Sequence, residues 1–169
     1  DVSDSVWTDE MQQAYLPGPR KASKPAGNFV AVPLDIHRLN NLFYNVHVLE
    51  DAGVDPASLQ SPQALLDALK TVDQETDAVG MAQATSQPWT TLQLWETMFL
   101  SAVGAQQYTD FAAGNPEKYE SEIKDSLTLL TEYNQYWNSD SASLTWDQAN
   151  TKVINGNAAF FHQGDWAAG

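Results

Sequence analysis

Three short stretches of this 169-residue sequence carry side chains able to grip a ligand. The first, VPLDIHRLNNLFYN at residues 32–45, sets Asp35, His37, Arg38, Asn40 and Asn41 between two apolar runs. A strand that leaves a core, shows polar side chains at its end and returns is a common way to place ligand contacts on a rigid scaffold. An ordinary strand-loop-strand with internally satisfied polar groups has the same pattern. The second stretch, Gln87-Pro88-Trp89, stands at a helix entrance, and the third, Gly164-Asp165-Trp166, at the end of a strand. A tryptophan at an element's end can offer a flat apolar face on which the C–H groups of a sugar ring stack, or it can fill the core. Trp7, Trp95, Trp137 and Trp146 sit on or beside helical stripes and read as core.

Other chemistries find little support. His37, His47 and His162 are the only histidines, and none has a metal-ligand spacing such as HExxH, so no metal is expected. Phosphate-cradling GxGxxG and GxxxxGK[ST] loops are missing, as is a Gly-x-Ser-x-Gly elbow, and no cofactor is implied. With no cysteine, disulfides and thiol chemistry are excluded. Asp35 and Asp165 are the paired carboxylates a glycosidase would need, but such pairs arise readily among 22 acidic residues.

The charge balance is informative. Against those 22 acidic residues stand 8 basic ones, a net charge of −14, so nucleic acid is a poor partner and an anionic membrane surface repels the chain. An acidic surface keeps a protein dispersed, and salt screens its self-repulsion, which suggests a salt-adapted origin. At 43% hydrophobic and 11% aromatic, the chain can build one core, and residues 1–169 are expected to form a single domain. The start at Asp1 and the stop at Ala167-Ala168-Gly169 read as those of a piece of a longer protein.

The elements that must position these side chains follow from periodicity and punctuation. Trp7, Met11 and Tyr15 predict a short helix over residues 6–16, stopped by Pro17-Gly18-Pro19, and residues 17–28 read as an exposed connection. Residues 29–34 look β-like, and Leu42-Phe43-Tyr44 forms a second strand. Val46, Leu49 and Ala52 mark a helix ended by Gly53, and Ser61-Pro62 opens another with Leu65, Leu66, Leu69 and Val72 inward. Val79-Gly80-Met81-Ala82 is a short strand. Thr90 or Thr91 leads into a helix burying Leu92, Trp95, Phe99 and Ala102 and closed by Gly104. Asn115-Pro116 starts one with a face of Ile123, Leu127, Leu130, Asn134 and Trp137. Thr145 and Gln148 form a capping box for a helix that ends at Gly156, before a last strand at residues 158–162.

With these residues placed, the chain resembles one lobe of a family 1 extracellular solute-binding protein of a sugar ABC transporter. The resemblance covers roughly residues 27–169, extends loosely to residue 1, and rests on VPLDIHRLNNLFYNVHVLEDAGVDP, QPWTTLQLWETMFLSAVGA and NGNAAFFHQGDWAAG in that order and spacing. It implies an α/β fold, the helix-rich second, C-terminal-type lobe of a type II periplasmic-binding-protein-like architecture with short strands packed against several helices. It also implies a sugar clamped between two lobes, permease subunits as partners, a monomer and no catalysis. The location implied is the outer face of the cytoplasmic membrane, with a lipid anchor in the full-length protein. Carried over by position, His37, Arg38 and Asn40 bind or support sugar hydroxyls, Trp89 and Trp166 stack, and Asp165 accepts from hydroxyls beside Trp166. Leu39-Asn40-Asn41-Leu42 lacks the tryptophan that many sugar binders have near position 42, so one aromatic contact is lost and disaccharides stay open as ligands. A glycoside-processing enzyme using Asp35 and Asp165, and a binder of polyamines or peptides, are the alternatives.

Overall fold

A computed structural model describes residues 6–169, and three short strands there meet in one mixed sheet. They are Asn41–Tyr44 (β1), Val79–Ala82 (β2) and Ala158–Gln163 (β3), in the order β1-β3-β2. The central strand, AAFFHQ, is buried at every position, as a strand covered on both faces must be. It pairs antiparallel with β1, Asn41 opposite Gln163 and Tyr44 opposite Phe160, and parallel with β2, Val79 opposite Ala158.

Contacts divide the chain into Asp1–Arg38 and Leu39–Gly169, a boundary that falls inside the polar stretch 32–45. Within the first unit, Thr8 caps the helix Asp9–Ala14 (α1) by accepting from the Met11 amide. Trp7, buried, stacks on Phe29 at 4.1 Å between ring centroids, and its Nε1 donates to the Ala31 carbonyl at 3.0 Å. Two expectations fail here. The supposed connection contains a second helix, Pro17–Ala22 (α2), because proline fits the first helical turn, whose amides need no partner. Residues 29–34 form no ladder; the Val30 amide donates to the Ser23 carbonyl at 3.0 Å, and Tyr15 donates its hydroxyl to the Pro33 carbonyl at 2.7 Å.

In the second unit, helices cover both faces of the sheet. Asn45 caps Val46–Ala52 (α3), and Gly53 closes it with φ 68°. Ser61 caps Pro62–Glu75 (α4), whose Leu65, Leu66, Leu69 and Val72 are buried as the spacing predicts. Pro88–Val103 (α5) is followed directly by Ala105–Ala112 (α6), a helix the sequence reading passes over. The inward face of α5 also differs. Thr90, Gln93, Leu94, Met98 and Phe99 are buried, while Leu92 is exposed, because apolar residues lie all round this helix and periodicity cannot choose between faces. Glu120–Tyr133 (α7) buries Ser126 and Tyr133 and leaves Leu127 exposed; Trp137 lies beyond its end, bridging to Met81 beside β2. The capping box of Thr145 and Gln148 opens Trp146–Ile154 (α8) as expected.

Two apolar clusters result. One gathers Leu66, Leu69, Met81, Leu94, Met98, Tyr133 and Phe160, and the other Ala82, Ala149, Val153, Phe161 and Ala167 with Trp166 packed against it.

Candidate functional site

Because β2 and β3 run parallel, the segments that follow them leave the same end of the sheet, where α/β folds place ligands. The segment after β2 is held at several points. Gln83 donates its amide to Asn138 Oδ1 at 2.7 Å, Thr85 its amide to the Ser141 carbonyl at 2.7 Å, and Ser86 its hydroxyl to the Leu144 carbonyl at 2.5 Å. Thr90, buried at the start of α5, donates back to the Ala84 carbonyl. Trp89 stands at this entrance, 37% exposed, its Nε1 donating to Gln87 Oε1 at 2.7 Å.

The segment after β3 turns at once. The buried Gln163 side chain accepts the Gly164 amide at 2.9 Å, and a helical turn over Asp165–Ala168 follows. The half-buried Trp166 ring folds back over Gly164, where a Cβ atom would collide with it. Gly164 is therefore required by space and not by backbone angle, its φ being an ordinary −67°. Asn150 on α8 donates to the Ala167 carbonyl at 3.2 Å and fixes the end of the turn.

The two tryptophans meet. Their ring centroids lie 6.3 Å apart at an interplanar angle of 59°, and the exposed Asp165 precedes Trp166. Two tilted apolar faces with a neighbouring carboxylate suit a ligand that has flat C–H faces and an edge of hydroxyl donors.

Asn40 immediately precedes β1, and the Asn41–Gln163 pairing brings that end of β1 to the same edge of the sheet. Asn40 is exposed and lines two cavities of about 210 Å³ each on the α5 side, neither of which has a tryptophan in its wall. His37, Arg38 and Asp35 belong to the first unit, where all three are exposed and His37 Nε2 lies 3.3 Å from Asp35 Oδ2. The second unit thus brings Trp89, Trp166 and Asp165 into one neighbourhood and sets Asn40 on the flank of α5.

Two residues that the sequence did not single out support this edge. The buried Gln93 donates to the Leu39 carbonyl and ties the start of the second unit to α5. His162, also buried, faces Thr97 with Nε2 2.9 Å from Oγ1. Thr97 gives its own proton to the Gln93 carbonyl at 3.2 Å, which assigns the imidazole proton to Nε2 and leaves Nδ1 bare, without a hydrogen-bond partner among the described residues. Burial pulls His162 down to about 4, opposed only by its own backbone, so the ring is neutral at pH 7. A lone histidine in a strand carries no sequence signal for this. Among the described residues no group of three or more His, Cys, Asp or Glu side chains could hold a metal ion, and no helix is long and apolar enough to cross a membrane.

Residues 2–169 match the family model of bacterial extracellular solute-binding proteins. The xylose/arabinose-binding protein XacG of Haloferax volcanii is 48% identical over 140 residues, 82% of this chain and 30% of that protein. An ABC transporter extracellular-binding protein of Pyrococcus horikoshii is 29% identical over 166 residues, 98% of this chain and 37% of that one. The chain therefore spans about a third of the length of these relatives. Among solved structures, one concerned with xylan utilization by the thermophilic bacterium Caldanaerobius polysaccharolyticus overlays with a TM-score of 0.84 at 22% identity, covering 98% of this chain and 42% of that one. A chitin oligosaccharide binding protein overlays with a TM-score of 0.76 at 18% identity, covering 90% and 38%. These likenesses establish the periplasmic-binding-protein-like fold, α/β and helix-rich, that the family resemblance implies. This chain belongs to the family of bacterial extracellular solute-binding proteins.

Proposed function

We propose that this chain supplies part of a carbohydrate-binding cleft, and that the whole protein hands its sugar to the permease of an ABC transporter. The observation that carries the reading is the Trp89–Trp166 pair at the carboxyl edge of the parallel strands. Trp89 and Trp166 stack against the sugar, Asp165 accepts from its hydroxyls, and Asn40, His37 and Arg38 add hydrogen bonds or support them. The name of the Haloferax relative makes pentoses the first candidates. Binding is non-covalent, with no catalytic role for Asp35 or Asp165, in keeping with a family of binding proteins. The protein acts as a monomer on the outer face of the cytoplasmic membrane, held there by a lipid anchor.

Calorimetry on the full-length protein with D-xylose, L-arabinose, D-glucose and maltose tests this. At least one sugar should bind, and Trp89→Ala and Trp166→Ala should each weaken it roughly tenfold or more, as expected for loss of a stacking face. Absence of heat with every sugar would overturn the reading. Release of product from a chromogenic glycoside, abolished by Asp165→Asn, would replace it with an enzyme.

A further inference from the structure

Both tryptophan arms are tied back to one helix, α8. On one side Asn150 holds the Trp166 turn through the Ala167 carbonyl at 3.2 Å. On the other, Lys152 Nζ meets Asp140 Oδ2 at 2.9 Å, Asp140 Oδ1 accepts from Asn138 Nδ2 at 2.6 Å, and Asn138 Oδ1 accepts the Gln83 amide at 2.7 Å. Residues two apart on a helix point roughly 200° away from each other, so α8 can reach both arms while Ala149 and Val153 bury against the sheet between them.

The order of dependence follows from hydrogen-bond chemistry. Among the described residues, β2 is an edge strand whose outer side carries only the Met81–Trp137 bridge, so the Gln83 amide beyond it has no ladder partner there and relies on a side chain. Asn138 is 4% exposed, and its amide works in one orientation only: turned over, it would set N–H against N–H. Asp140 enforces that orientation by taking the Asn138 donors. The Asn138 hydrogen bond, and after it Lys152, hold the Asp140 carboxyl below its usual range, so it stays ionised and accepts.

We propose that Asn138 and Lys152 are positioning residues for the ligand site. Through Asp140 and the Gln83 backbone, they set the Trp89 arm at its working distance from Trp166. The inference rests on the carbohydrate reading for its effect on affinity, and on geometry alone for its effect on the tryptophan pair.

The test uses the full-length protein, with Asn138→Ala, Lys152→Gln and the exchange Asn138→Asp/Asp140→Asn. In the exchange, the carboxylate at 138 still accepts from Gln83 and the amide at 140 now donates to it. The readouts are the near-ultraviolet circular dichroism of the Trp89–Trp166 pair, amide hydrogen exchange at residues 83–86, and D-xylose affinity. Asn138→Ala should raise exchange about tenfold, reduce the dichroism and weaken xylose about tenfold, as loss of a buried acceptor implies. Lys152→Gln should act in the same direction by about threefold, since it removes one charged partner of a half-exposed pair. The exchange should restore both dichroism and affinity, which a merely destabilising change would not. Wild-type dichroism in Asn138→Ala and Lys152→Gln, even with faster amide exchange, would overturn the proposal. If Asn138→Ala does not fold, Lys152→Gln decides alone. If wild-type protein ignores xylose, the pentose reading fails, and dichroism and exchange still decide the positioning role.

Discussion

At the scale of single residues, Gly164 sets the pose of Trp166. The indole ring occupies the space that any side chain at 164 would need. Gly164→Ala should therefore push the ring off its seat, cost about 1–3 kcal/mol through overpacking, and lower sugar affinity further than stability. A chemical melt and a titration on the same variant check this; unchanged affinity would remove Trp166 from the site. His162 makes a separate prediction. Its folded value of about 4 lies below the 6.5 of the unfolded chain, so the unfolded state takes up a proton first as pH falls. Stability attributable to this ring is complete above pH 6.5 and is lost between 6.5 and 4, on the order of 3 kcal/mol. His162→Leu should flatten the slope of unfolding free energy across that window, measured by denaturant melts at several pH values.

At the scale of elements, the close approach of β2 to α4 depends on Gly80. A Cβ there would lie 3.1 Å from the Tyr136 Cβ and 3.2 Å from both the Leu69 Cβ and the Leu69 carbonyl oxygen. Backbone cannot yield as a flexible side chain can, so Gly80→Ala should destabilise the unit by about 1–3 kcal/mol, read as a lower denaturant midpoint with unchanged slope. Such contacts are invisible in the sequence, where Gly80 is one small residue inside a strand. What was legible were elements with chemical punctuation: Ser61-Pro62 before α4, Gly53 after α3, and the Thr145–Gln148 box before α8. Punctuation also misled. Pro17-Gly18-Pro19 reads as a break yet begins α2, and Gly104 closes α5 while opening α6 directly. The tryptophan arms were legible because Trp89 and Trp166 stand off the helical stripes at element ends. The Asn138–Asp140–Lys152 relay was not, since its members lie far from Gln83 in sequence and meet only once α8 packs on the sheet.

At the scale of the whole molecule, charge dominates. With 22 acidic residues against 8 basic, repulsion among like charges opposes folding until salt screens it. The thermal midpoint should rise by roughly ten degrees or more between low salt and about 2 M sodium chloride, because the Debye length shrinks to a few ångström. A midpoint that stays level across that range would remove salt adaptation from the account. The sheet has a consequence of its own. Its central strand, β3, is made after every strand that needs it: β1 waits for residues up to Gln163, and β2 for Ala158 to Phe161. A nascent chain still short of Ala158 carries two strands with no partner and cannot close either apolar cluster around Phe160 or Phe161. Growing from the ribosome, this polypeptide keeps its sheet open and both apolar clusters unclosed until the residues of β3 have been made.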